Sequence, residues 1–331
     1  MEAIEFKAFV VEEKEGAFSG HINNRSVDDL PDNDLLVKVH YSSLNYKDAL
    51  SANGNKGVTR DYPHTPGIDA AGTVVNDASG KFNVNEPVIV TSYDLGMNTD
   101  GGFGQYIRVP SEWAVKLPGG MTMKESMLFG TAGFTAGMSV MRLIETVKPD
   151  DGKIAVSGAT GGVGALSIGI LSKLGYAVSA ISGKEQEREF LLELGAQEVL
   201  PRQDYEAENT RPLLKAAFAG VIDTVGGNIL ANLIKSTRPM GVVTCCGNVA
   251  SPKLDLTVFP FILRGVSLIG IDSQNCPMAE REIVWKNLAG EWMPDNLQGL
   301  SNEISLAELS HSIDRMLAGT LKGRTIVNLD V

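Results

Sequence analysis

The sequence predicts an α/β protein in which a doubly wound parallel sheet follows a mostly β domain. Three observations predict it. Short β-branched runs recur through the second half of the chain, with Ile154, Val178, Val199, Val221, Val242 and Leu268 as markers spaced about 21 to 26 residues apart, the rhythm of strands joined by helical crossovers. A glycine-rich stretch, GATGGVG from Gly158 to Gly164, stands between the first of these runs and the first helical pattern. The first ~125 residues instead show alternating strands broken by turn clusters such as DASG and NTDGG, as a β domain with irregular loops would.

The elements follow in order. In LLVKVHYSS, Leu35, Val37 and Val39 share one face, and AAGTVV and EPVIVTS read as further strands. After KIAVS, the residues Val163, Leu166, Ile170, Leu171 and Leu174 trace one helical face. After ISGK, Phe190, Leu191 and Leu194 do the same, and Gly195 can end that helix. Six strands match two mononucleotide-binding halves. The last ~35 residues read as strand, helix, strand, and periodicity leaves open which domain they join.

Composition narrows the function classes. The chain has 331 residues, enough for about two domains, and a net charge of -11. A nucleic-acid binder usually carries a basic footprint, so nucleic acid is not expected as a partner. Three cysteines (Cys245, Cys246, Cys276) imply no disulfide framework and suit a reducing cytoplasm. No signal peptide is read at the N-terminus, and no apolar run is read as reaching the ~18 residues of a membrane span.

The glycine stretch follows a strand and opens a helix, which is the setting of a dinucleotide loop. The pattern is A-x-G-x-x-G, from Ala159. Gly161 is read as the tight turn, Gly162 as the point of phosphate approach and Gly164 as the close helix–strand contact. Thr160 and Val163 complete the loop, whose backbone N–H groups and helix N-terminus suit a pyrophosphate. An NAD site usually carries an acid about 20 residues on, at the end of the second strand. Here Ser182, Gly183 and Lys184 occupy that place. A serine donor and a lysine charge suit a 2′-phosphate, and Arg202 past the third strand can join them, so NADPH is the expected cofactor. The lesser alternative is that Lys184 is a solvated lysine at a helix start. Thr224 and Gly247 end the fourth and fifth strands, at the sheet edge where ligands bind.

PGIDAAG, GTAGFTA and GATGGVG, together with the β-rich first domain, resemble the medium-chain dehydrogenase/reductase superfamily. SSLNYKDAL, IDTVGG, PFILRGVSLIGIDS and GRTIVNL resemble its zinc-free quinone-oxidoreductase branch, and within that the acrylyl-CoA reductases of the YhdH/YhfP type. The resemblance implies a GroES-like catalytic domain over 1–124, a Rossmann NADPH-binding domain over 125–294, and a segment, 295–331, that returns to the first domain. It also implies a cleft between the domains and a homodimer paired through LRGVSLIGI. Zinc members of the superfamily carry a Cys near LNYKD and Gly-His-Glu at GID; this chain has Asn45, Ile68 and Asp69 there, and its four histidines lack ligand spacing, so no metal is expected.

Without a metal, conjugate reduction of an activated C=C or reduction of a quinone is the expected chemistry. Tyr46 is the leading candidate for the polar role, as proton donor, oxyanion donor or ribose contact. Asn45, whose amide is no acid near neutral pH, is read as positioning. Thr131 is a candidate cofactor contact and helix cap, and Lys47 and Asp48 are read as a surface helix start. Expected activity is reduction of acrylyl-CoA or a similar short enoyl-CoA, with an NADPH:quinone oxidoreductase and a non-catalytic NADPH sensor as alternatives.

Overall fold

The computed structural model describes residues 4–331; the first three residues, where the expected first domain begins, lie outside it. In chain order the strands are β1 (Glu5–Lys14), β2 (Ala17–Ser26), β3 (Leu35–Leu44), β4 (Asp69–Asp77), β5 (Pro87–Thr91), β6 (Tyr106–Val109), β7 (Ala114–Lys116), β8 (Ile154–Ser157), β9 (Val178–Ser182), β10 (Glu198–Pro201), β11 (Phe218–Asp223), β12 (Thr237–Cys245), β13 (Ser267–Gly270), β14 (Ser301–Ser305) and β15 (Arg324–Asn328). The helices are α1 (Tyr46–Ala52), α2 (Met123–Ile144), α3 (Gly162–Lys173), α4 (Arg188–Glu193), α5 (Gln203–Glu206), α6 (Gly227–Lys235), α7 (Phe259–Arg264), α8 (Met278–Leu288) and α9 (Leu309–Leu317). Contacts divide the chain into two units: residues up to Thr131 with Gln274–Ile283 and Gln298–Val331, and Ala132–Ser273 with Val284–Leu297.

In the first unit a seven-stranded sheet runs β14-β15-β3-β4-β5-β7, with β6 also paired to β3. The strand–helix–strand at the C-terminal end joins this sheet through β15, antiparallel to β3. Leu35, Val37 and Val39 are buried in the main core of this unit, as their alternation predicts. Leu36, on the opposite face of β3, is buried too, against Phe6, Ala8 and Val10. Those three residues belong to a hairpin of β1 and β2 that the sequence reading passed over. Its turn holds Glu15 and Gly16 at φ 53° and 81°, the paired positive angles that match the twist of two-residue hairpins.

The second unit contains six parallel strands in the order β10-β9-β8-β11-β12-β13. All six sequence markers fall in them. The chain starts at the centre, winds outward to β10, and then reverses to the far side. That reversal places a crevice at the carboxyl ends of β8 and β11. β13 is left as an edge strand.

One expectation needs correcting. Met123–Ile144 is long and apolar enough to cross a membrane by length and composition. It is two helices broken at Gly130, whose φ of 51° and ψ of -156° are not helical, and 78% of the apolar window is buried inside the protein. Its apolar surface is taken up by the protein core.

Candidate active site

Asp69 organises the polar centre of the first unit. It opens β4 and is fully buried. Its Oδ2 accepts from Ser43 Oγ at 2.6 Å and Asn45 Nδ2 at 2.7 Å. Its Oδ1 accepts from the Thr131 hydroxyl at 2.6 Å and the Thr131 N–H at 2.9 Å. Arg324, from β15, lies with Nη2 3.7 Å from Oδ2 and is itself buried. The Ser43 hydroxyl bridges the pair, since it donates to Asp69 and accepts from Arg324 Nη2 at 2.7 Å. Burial works against charge on Arg324, and the Asp69 carboxylate favours it. Hydrogen bonding of this density is what offsets the desolvation of a buried ion pair.

The network defines Asn45. Its Oδ1 accepts from Arg324 Nη1 at 3.1 Å, and its Nδ2 donates to Asp69 and to the Ser43 carbonyl at 3.2 Å. Both amide hydrogens are used, which also settles which way the amide faces. Asn45 precedes α1, so the same contacts aim the first residue of that helix, Tyr46, which is 48% exposed. Tyr46 is thus an exposed phenol on a rigid base.

One reading of this region, that Lys47 and Asp48 lie on the surface, is corrected. Asp48 is not on the surface: it is fully buried, and its carboxylate accepts from the Asn45 N–H at 2.7 Å and the Ile68 N–H at 2.8 Å. It therefore ties the LNYKD and PGID segments together. Burial, and next the neighbouring Asp69 charge, raise its pKa to about 7. Lys47 is half-buried and donates to Gln274 Oε1 at 2.8 Å. Thr131 opens the helix that resumes after Gly130. The Asp69 carboxylate takes its N–H there. Gly130 is obligatory here, because a Cβ would lie 2.3 Å from Asp69 Oδ2 and 2.5 Å from Ser43 Oγ. The Thr131 hydroxyl proton goes to Asp69, so the 3.1 Å contact with Ser92 has Ser92 donating. Ser92 and Tyr93 both hold positive φ, 66° and 51°.

A zinc ion does not fit this cluster. Asp69 already accepts from four donors (Ser43 Oγ, Asn45 Nδ2, and the hydroxyl and N–H of Thr131) and faces the Arg324 guanidinium, and Asn45 turns a donor, not a lone pair, toward it. Among the described residues no three His, Cys, Asp or Glu side chains converge to hold a metal.

In the second unit the cofactor candidates collect at the carboxyl ends of the strands. Thr160, Gly161, Gly162, Val163 and Gly164 lead from β8 into α3, which begins at Gly162. The tight turn falls at Gly158, with φ 59°, and not at Gly161, whose φ is -77°. Gly164 does serve close packing: a Cβ there would lie 2.4 Å from the Gly158 carbonyl oxygen. Thr224, after β11, donates through Oγ1 to the Ser157 carbonyl at 2.9 Å. Gly247 follows β12, and a Cβ there would lie 2.0 Å from the Thr224 carbonyl oxygen. Burial raises the pKa of Asp223, which accepts from Ser157 Oγ and from the Gly226 N–H, so it braces this edge from beneath. Burial and Asp223 push the Cys246 thiol up to about 12, which leaves it a poor nucleophile.

Ser182, Gly183, Lys184 and Arg202 line a cavity of about 340 Å³, with Arg188, Glu185 and Glu206 also in its lining. The Ser182 hydroxyl accepts from the Lys184 N–H at 3.0 Å. The cavity can hold a phosphate-sized anion, and no carboxylate ends β9. Sequence patterns do not mark Ser43 or Arg324, and they mark Asp69 only as standing where zinc members carry a ligand. GRTIVNL and PGID were in view, but nothing in their spacing tells that they meet.

Residues 31–119 match the alcohol dehydrogenase GroES-like domain, and residues 162–290 the zinc-binding dehydrogenase domain. The putative quinone oxidoreductase YhfP of Bacillus subtilis is 41% identical over 98% of this chain and 99% of its own. The probable acrylyl-CoA reductase AcuI of Escherichia coli is 39% identical over 98% of this chain and 100% of its own. Among solved structures, the YhdH oxidoreductase from Salmonella enterica in complex with NADP superposes with a TM-score of 0.95 at 39% identity, covering 97% of this chain and 99% of the other. Bacillus subtilis YhfP with NAD bound superposes with a TM-score of 0.96 at 41% identity, covering 99% and 100%. With its two domain matches and its full-length similarity to these oxidoreductases, this chain belongs to the medium-chain dehydrogenase/reductase superfamily, in the group of YhfP, YhdH and AcuI.

Proposed function

We propose that this chain is an NADPH-dependent reductase of the activated C=C of acrylyl-CoA or a similar short enoyl-CoA. The observation that carries the reading is the Ser182–Gly183–Lys184 turn lining one cavity together with Arg202, in place of a carboxylate at the end of β9. A 2′-phosphate is attracted there, and its absence in NADH forfeits those contacts. Full-length similarity to AcuI supports the substrate class.

When bound, NADPH supplies a hydride for the β-carbon of the enoyl thioester. The chain's own residues supply the rest. The glycine loop and the N-terminus of α3 bind the pyrophosphate, while Ser182, Lys184 and Arg202 bind the 2′-phosphate. Tyr46, an exposed phenol at the start of α1, is the group that would donate to the thioester oxygen on which charge develops, or pass a proton to the α-carbon. Asn45, with its hydrogen bonds used within the protein, acts by aiming Tyr46. Steady-state turnover with NADPH and NADH against acrylyl-CoA, crotonyl-CoA and a benzoquinone tests this. The highest kcat/KM is expected with NADPH and acrylyl-CoA. A clear preference for the benzoquinone would favour the second reading, a quinone oxidoreductase, which the name of the YhfP relative motivates.

The same proposal includes a homodimer. β13 is the sheet edge, and Val258, Ile262 and Leu263 of the neighbouring α7 region are exposed apolar residues. An unpaired apolar edge invites a second copy. Light scattering is expected to give about twice 35.3 kDa, and a monomer at micromolar concentration would count against it. Three cysteines without a disulfide support a cytoplasmic setting.

A further inference from the structure

Arg202 carries a second charge with it. Its Nε lies 2.5 Å from Glu206 Oε1, an i,i+4 pair across the short α5. Among the described residues its two terminal nitrogens have no other partner. The guanidinium rests against Gly183, where a Cβ would lie 3.0 Å from Cζ. Both residues are anchored through the backbone. The Arg202 N–H donates to the Ser182 carbonyl at 3.0 Å. On the other side, Asn228 donates to the Glu206 carbonyl at 3.1 Å, and Asn232 donates to the carbonyls of Tyr205 and Ala207 at 2.9 and 2.8 Å. Glu206 therefore cannot leave by a backbone movement without breaking those bonds. Its carboxylate lines the same cavity as Ser182 and Lys184.

We propose that Glu206 is a specificity-determining residue that weakens recognition of the 2′-phosphate by Arg202, and so holds the preference for NADPH over NADH below what the cations alone would give. The proposal rests on the reading that this cavity receives the 2′-phosphate. Such a phosphate carries a charge of about -1.5 to -2 near pH 7. Bound by the terminal nitrogens of Arg202, it lies roughly 5–7 Å from a carboxylate held on Nε of the same guanidinium. Repulsion at that range, screened over about 8 Å at physiological salt, corresponds to about a threefold to eightfold loss of affinity. The opposing effect, the ordering of Arg202 by its partner, is small for a half-exposed helical pair. NADH, with a hydroxyl at that position, feels little of either.

The test is calorimetric binding of NADPH and of NADH to the unmodified chain, Glu206→Gln and Arg202→Met, at about 0.15 M and 0.5 M salt. Glu206→Gln is expected to bind NADPH about threefold to eightfold more tightly, with the gain shrinking at the higher salt and NADH affinity within about twofold. Unchanged or weaker NADPH binding by Glu206→Gln overturns the proposal. Arg202→Met separates the causes. It is expected to weaken NADPH alone, and if it does so while Glu206→Gln gives no gain, the cavity reading stands and only the role of Glu206 fails. If it leaves NADPH affinity unchanged, the cavity reading and the proposal fall together.

Discussion

Asp69 and Arg324 meet where their side chains are 0% and 3% exposed, whereas Arg202 and Glu206 meet with about half of each side chain in water, 54% and 46%. The difference teaches what each pair is for. In the dry cluster every donor and acceptor must be matched, because an unmatched buried charge is costly and no water can replace the lost partner. The result is a rigid base for Tyr46 with little left over to bind anything. In the wet cavity, water solvates what the protein leaves unmatched. Arg202 can then keep two nitrogens available for a ligand at small cost to the fold. The first pair should therefore be read through stability and kcat, the second through cofactor affinity and its salt dependence.

The sharpest way to break this contrast is at Tyr46, the exposed group that the dry cluster supports. If Tyr46 supplies the proton or the oxyanion donor, Tyr46→Phe should lower kcat for acrylyl-CoA by about 10²–10⁴ and leave NADPH affinity nearly unchanged. A variant that mainly loses NADPH affinity would instead make Tyr46 a cofactor contact.

Within the cluster, Asp69→Ala strands the Arg324 guanidinium. A stability loss of about 3–5 kcal/mol is expected in urea unfolding. A loss under about 1 kcal/mol would mean that water enters the cluster, and the contrast with the cavity would fail.

Asp48 sharpens the dry side through pH. Its folded-state pKa, about 7, lies above its unfolded value of about 3.8. The protonated form is therefore favoured by folding. The stability it contributes is complete below the unfolded value and is lost as pH rises from there to about 7. Asp48→Asn, which carries no charge, should show a smaller fall in melting temperature between about pH 5 and pH 8 than the unmodified chain. Parallel curves would show that Asp48 does not titrate in this range.

The smallest effect belongs to the wet side. Lys184→Ala should weaken NADPH binding by roughly tenfold and NADH binding hardly at all, and the gap should close in high salt. Equal affinity of the unmodified chain for both cofactors would refute the cavity's assignment.

The sequence by itself determined the parallel sheet, because burial on both faces writes β-branched runs and helical spacing into contiguous residues: the markers Ile154 to Leu268 all fall in strands. It also located the glycine loop and the Ser182–Lys184 turn, since strand, loop and helix there follow one another within a short stretch. What such local patterns could not reach was the assembly of distant groups. Asp69, Ser43, Asn45, Thr131 and Arg324 come from four separate stretches and meet only after β3, β4, β15 and the break in α2 are packed together. The same limit explains Asp48, which a polar residue at a helix start would place in water. Only the neighbouring Ile68 and Asn45 backbones, brought to it by tertiary folding, make it a buried acid. It also explains the turn at Gly158. Glycine-rich spacing permits a positive φ at several positions, and the close approach of Thr224, 2.2 Å from where a Cβ would stand, decides that Gly158 is one that must remain a glycine.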